Sequence, residues 1–261
     1  MIGDIAVCFL LQIGFTVGIT VLFGWLIAQC NRTFYRNFGR YGRSICYLTG
    51  ALGTPLHECG HALFCLLFGH KIHEIKLFQI GDDGTLGYVK HSYNKKNVYQ
   101  RIGNFFIGVG PILLIGAVLF LLAYLLLPDF VAEMVACMQI DSFTKDFGAV
   151  FTGLFRALET FFFSALDWRF WVFVLVGMFL ALHMTLSKPD IQGAWSGILF
   201  LLAIVLLVDV ILGVVGGNVL STVTGWVLTA GSYLLCFLVL SLLISLLSVA
   251  ASFVFRAARR R

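Results

Sequence analysis

Charge is scarce in this chain. Only 12% of its 261 residues are Asp, Glu, Lys or Arg, against roughly a quarter in a soluble domain. With 60% hydrophobic residues and a mean hydropathy of +0.96, that scarcity excludes an ordinary soluble fold and predicts an integral membrane protein. The sequence also has no CxxC pair: its seven cysteines (Cys8, Cys30, Cys46, Cys59, Cys65, Cys137 and Cys236) are scattered, mostly within apolar stretches. Neither a disulfide framework nor a cysteine zinc site is implied. No Lys or Arg precedes the first apolar run and no small-residue cleavage pattern follows it, which predicts a retained helix rather than a cleaved signal peptide. The net charge of +5 resides mainly in loops at the membrane surface and gives no nucleic-acid signal. Neither an internal repeat nor a low-complexity segment is evident.

The apolar runs that are present predict about six transmembrane helices in one membrane domain, residues 1–261. The spans fall near Ile5–Gln29, Ser44–Phe68, Ile102–Leu127, Phe170–Leu186 and Ala194–Val215, with a last stretch over Val219–Phe255. Gly216-Gly217-Asn218 makes a tight turn into that last stretch, which exceeds one span and is expected to tilt, kink near Gly225 or Gly231, or lie partly in the interface. Two connections carry more than loop character. Residues 72–93 hold two β-prone runs around Gly81-Asp82-Asp83-Gly84, the pattern of a β-hairpin. Residues 128–169 place Phe147, Phe151, Leu154, Leu158 and Phe162 at helical spacing, which predicts an amphipathic helix on the membrane face, or a lid. The fold class is therefore an all-α polytopic membrane protein with a small membrane-associated β-hairpin.

Within the second span lies His57-Glu58-Cys59-Gly60-His61, an HExxH pentapeptide. Two histidines four apart share one helix face, so their imidazoles can grip a single zinc ion. Glu58 can then face the remaining ligand, a water, and take its proton. HExxH matches arise often by chance, but ionisable groups at membrane depth are costly, and that location favours a functional site over side chains merely satisfied within a bundle. A catalytic zinc needs a third protein ligand, and the candidates are His183, Asp190 and Asp209. Spans two and four run in the same direction, so Asp190, just after span four, falls toward the same face as the HExxH. His183 lies about two turns earlier and could line the same cavity as a ligand or a hydrogen-bonding partner. Asp209 lies toward the opposite face and fits poorly. The alternative for Asp190, beside Pro189, is a helix cap or loop aspartate, with the ligand reading favoured.

These residues resemble the site-2 proteases, intramembrane zinc metalloproteases that pair an HExxH in one transmembrane helix with an aspartate in a later one. Here the later stretch is Ser187-Lys188-Pro189-Asp190-Ile191-Gln192-Gly193, which departs from the family's Asn-Pro…Leu-Asp-Gly pattern: no Asn-Pro precedes the aspartate, and the glycine follows three residues on. The hairpin resembles the family's β-element, which offers an extended substrate a strand to pair with. Gly103-Asn104 and Gly108-Val109-Gly110-Pro111 resemble its glycine-and-proline helix. The likeness covers roughly residues 45–195, and no appended PDZ-like or CBS-like domain is found. It implies zinc held by His57, His61 and Asp190, with Glu58 as catalytic base; Asn104 could hydrogen-bond substrate or the oxyanion, or simply pack, and His183 is a further substrate-binding candidate. It also implies a transmembrane protein as substrate, such as an anti-sigma factor, a precursor or a signal-peptide remnant.

Two rival readings remain. A CAAX prenyl-protein or HtpX-like membrane zincin would take a late glutamate as third ligand, and only Glu133 and Glu159, both in the amphipathic connection, are available. A non-catalytic transporter or scaffold retaining the zinc site would not need Glu58. The sequence leaves the oligomeric state open. With six spans, eleven Lys and Arg fall on the side of the termini and seven on the other. That bias predicts a multi-pass protein of the cell membrane with both termini in the cytoplasm, although the Arg-rich first loop opposes it.

Overall fold

The computed structural model describes residues 2–81, 84–138 and 147–258. Helix dominates, as hydrocarbon demands when every backbone N–H and C=O must find its partner within the chain. The first helix, α1 (Ile2–Ile13), passes through a π-helical turn at Gly14–Gly18 into α2 (Ile19–Phe38). A 3₁₀ turn at Gly39–Tyr41 leads to α3 (Gly42–Leu67), which carries the HExxH. Gly39 adopts a φ of 57°, a conformation that favours glycine. The chain doubles back there: the Tyr35 hydroxyl lies 3.3 Å from Thr49 Oγ1, 14 residues later, where a straight helix would separate them by about 21 Å.

After α3 comes an antiparallel pair, β1 (Lys71–Lys76) and β2 (Tyr88–Ser92), with an irregularity between Ile72 and Glu74. The expected hairpin is therefore present. Its backbone pairing continues beyond the strands through Gln79 N–H to Leu86 O (2.7 Å) and Gly81 N–H to Thr85 O (3.1 Å). Of the expected turn, Asp82 and Asp83 lie outside the described residues. At the solvated face of the pair, hydrogen bonds from Lys90 and Tyr88 hold the Glu74 carboxyl below its ordinary range.

The remaining helices are α4 (Val98–Leu126), α5 (Pro128–Cys137), α6 (Phe147–Phe163), α7 (Trp168–Ala181), α8 (Lys188–Val215) and α9 (Gly217–Ala258). Asn97 caps α4 by accepting the Gln100 N–H, and a 3₁₀ turn at Ser164–Leu166 links α6 to α7. The central helix is α4, which packs most extensively on α3 and α8. Its Ile112, Ile115 and Leu119 are buried among Phe161, Phe173, Leu240 and Ile244. Backbones touch where α3 crosses α4: a Cβ placed on Gly60 would stand 2.7 Å from Pro111 N, and one on Gly110 would stand 2.7 Å from Gly60 O. Such small-residue crossings let membrane helices gain dispersion contact that larger side chains would prevent.

One expectation changes. Among the described residues, four helical runs are long and apolar enough to cross a membrane: Ile2–Leu67, Val98–Leu126, Lys188–Val215 and Gly217–Ala258. A fifth is counted if the pair Val150–Leu166 and Trp168–Ala181, bent by 111°, forms one span. The expected six differ because the first two lie in a single helical run folded at Gly39. The expected Phe170–Leu186 span yields only the 14 residues of α7 before the helix stops at Ala181, short of the ~20 a span requires. The last apolar stretch is one continuous helix of 42 residues, longer than a single span needs. The amphipathic connection forms the helix α6: Val150, Ala157 and Phe161 pack inward, Phe161 meeting Phe130 of α5 at 5.2 Å between rings, while Phe151 and Phe162 of the expected stripe are more than half exposed, as a lipid-facing stripe would be.

Candidate metal centre and active site

Four elements bring the site together. The HExxH sits in the later half of α3, two residues after Pro55. Its histidines are fixed by carbonyls from neighbouring segments. His57 Nδ1 donates to His183 O at 2.8 Å, and His61 Nδ1 donates to Ile107 O at 2.8 Å. A carbonyl only accepts, so both protons reside on Nδ1 and both Nε2 lone pairs face inward. The two Nε2 atoms are 3.2 Å apart.

Asp190 completes the cluster from the first turn of α8. Its Oδ1 lies 3.2 Å from His61 Nε2 and its Oδ2 lies 3.8 Å from His57 Nε2. The same residue is a helix cap. The Ser187 N–H donates to Asp190 Oδ2 at 2.7 Å, and the Asp190 N–H donates to Ser187 Oγ at 3.3 Å, which forms a reciprocal capping box. The two readings of this aspartate are thus compatible, because the cap aims the carboxylate at the histidines.

His57, His61 and Asp190 each offer one donor atom within 4.8 Å of the others. Three electron-pair donors converging on one point repel unless a cation or a shared proton lies among them. Ligands tetrahedrally placed about 2.0–2.1 Å from zinc stand about 3.3 Å apart, close to the separations here. Two imidazoles and a carboxylate are also a donor set that zinc accepts. The residues fit the ion.

Glu58 is 6% exposed and lines a cavity of about 430 Å³ together with His57, His61 and Asp190. The hairpin forms one wall through Thr85, Gly87, Tyr88, Val89 and His91. At Gly87 the chain passes directly over the glutamate, where an added Cβ would meet Glu58 Cγ at 2.7 Å and Oε1 at 2.9 Å. Asn104 also lines the cavity, and its amide donates to Ser196 Oγ at 2.9 Å.

The other candidates lie elsewhere. The His183 ring is not among the cavity's lining residues. It sits within hydrogen-bonding reach of Thr49 (3.0 Å), Thr54 (3.4 Å) and Tyr35 (3.5 Å), packed where Gly53 leaves room for it. Its contribution to the cluster is the backbone carbonyl, exposed because α7 has ended and α8 has not begun. Asp209 is 1% exposed and accepts from Gln12 at 3.0 Å, apart from the histidines. Among the described residues, neither Glu133 nor Glu159 joins a potential metal cluster, and nothing from the 128–169 connection lines the cavity. The orienting carbonyls of His183 and Ile107 carry no sequence signal, since any residue supplies one. Gly87 was legible only as a glycine in a β-prone run. No protein-family model, curated protein or solved structure matches this chain.

Proposed function

We propose that this chain is an intramembrane zinc metalloprotease that hydrolyses peptide bonds in or near the transmembrane segments of other membrane proteins. The observation that carries the reading is the convergence of His57, His61 and Asp190 donors beside Glu58 in a cavity walled by a β-strand. A transporter or scaffold has no use for a carboxylate base beside such a cluster, and a CAAX- or HtpX-like zincin needs a glutamate where Asp190 stands.

His57, His61 and Asp190 would hold the ion, which when bound polarises the scissile carbonyl and acidifies the attacking water. Glu58 takes the proton from that water and delivers it to the leaving amide nitrogen. The stretch Gly87–Val89, leading into β2, offers backbone groups to an extended substrate. A helical segment would thereby lose its own hydrogen bonds and expose a bond for cutting. Asn104, anchored on Ser196, is held at the cavity wall to bind the substrate backbone. Burial of the cluster among helices limits the reaction to substrates that reach it from the bilayer.

The test is metal content and cleavage in detergent-purified protein. His57→Ala and Asp190→Ala should each lose one zinc equivalent. Glu58→Gln should keep its zinc and lose about 10²- to 10⁴-fold in cleavage of a membrane-protein substrate. Unchanged zinc in both ligand variants, or full cleavage by Glu58→Gln, would sink the proposal.

A further inference from the structure

A second cluster of metal-ligating side chains lies beyond the HExxH, at the base of the hairpin. The helix α3 ends there in a glycine cap: Gly69 has a φ of 67°, its N–H donates to Leu66 O at 3.2 Å, and the His70 N–H donates to Cys65 O at 2.8 Å. This 6→1, 5→2 pattern folds the chain back along its own last turn and sets His70 beside Cys65. From the other strand comes His91, paired with Ile72 at the irregular step in β1. Such bulges re-aim side chains. Cys65, His70 and His91 each present a donor atom within 4.8 Å of the others.

The histidines are set as ligands are. His70 Nε2 donates to Gln100 O at 2.8 Å, so its Nδ1 carries a lone pair. That lone pair faces His91 Nδ1 at 3.1 Å, near the separation of about 3.3 Å that two imidazoles adopt on one zinc ion. Tyr93 stacks on the His70 ring at 5.0 Å and 17°, which fixes its plane. Cys65 is fully buried. A carbonyl holding the far nitrogen of a ligating imidazole is the arrangement also found at His57 and His61.

We propose that Cys65, His70 and His91 form a second metal site, which takes a zinc-like divalent cation and fastens the hairpin to the end of α3 and the start of α4. One thiolate and two imidazoles suit zinc. The site shares no ligand with the first cluster, so it does not depend on the protease reading. Its effect reaches that cavity nonetheless, because His91 is part of the hairpin wall. An ion here would pin that wall at its base. A search for CxxC pairs passes over this cluster, because its donors mix residue types across 26 positions and meet only in the fold.

The test uses the full chain in detergent, stripped with chelator and reloaded with cobalt(II) or zinc. Unmodified protein and His57→Ala should both show the near-ultraviolet thiolate-to-cobalt charge-transfer band, and Cys65→Ser should lack it. Zinc content should fall from about two per chain to about one in either variant, and to about none in the double variant. If Cys65→Ser does not yield folded protein, His91→Asn supplies the same comparison. A missing thiolate band together with zinc content unaffected by these substitutions would overturn the proposal and leave two hydrogen-bonded neutral histidines. A band that depends on Cys65 would support it even if His57→Ala lost no metal, an outcome that would defeat only the first reading.

Discussion

His183 separates what a side chain does from what its backbone does. Its carbonyl orients His57, while its ring rests against Thr49, Thr54 and Tyr35. His183→Ala should therefore keep the first metal equivalent. It should lower stability by about 1–3 kcal/mol, since the threonine hydroxyls lose a buried partner and a void forms. Thermal unfolding in detergent alongside zinc analysis checks both parts. Loss of metal comparable to His57→Ala would instead make the ring a ligand. The sequence could place His183 near the site but could not choose between ring and carbonyl. That choice depended on where α7 stops.

At the scale of elements, the hairpin comes over Glu58 of α3 at one glycine, Gly87. Gly87→Leu places a side chain where Glu58 already sits, so the β2 edge must lift while the ligands on α3 and α8 stay in place. The metal equivalent of the His57–His61–Asp190 cluster should remain, and cleavage should fall by roughly 10²-fold, the scale of a ~1 Å misplacement of substrate. Side-by-side zinc analysis and cleavage assays measure this, and cleavage unchanged in Gly87→Leu would remove the hairpin from substrate positioning. The hairpin itself was legible, because two β-prone runs around a Gly- and Asp-rich turn have few alternatives. Which face of α6 meets the protein was not, because its sequence offers apolar residues on more than one face and packing on α5 selected Val150, Ala157 and Phe161.

For the whole molecule, orientation follows charge rather than packing. The bias of Lys and Arg toward the hairpin side and the C-terminal tail predicts that both are cytoplasmic. A fluorescent reporter that matures only in the cytoplasm should glow when fused after Arg261. A dark fusion with an active periplasmic or luminal reporter would reverse the insertion. Span number bears on this prediction, since an even number of crossings leaves the termini on one face and an odd number places them on opposite faces.

The composition of this chain determined its solvent. Scarce charge and long apolar runs left helices as the only economical spanning structure, and the juxtaposition of His57 and His61 was readable because helical spacing is local. Asp190 was readable in part, through its place just after a span. The tertiary structure decided what depends on distant segments meeting. The crossing of α3 with α4 brought the Ile107 carbonyl to His61. The break between α7 and α8 brought the His183 carbonyl to His57, and a capping box turned Asp190 inward. The meeting of Cys65, His70 and His91 likewise follows from a helix cap and a strand register. Pairwise distances across 21 to 133 residues are set by packing, and no periodicity along the chain encodes them.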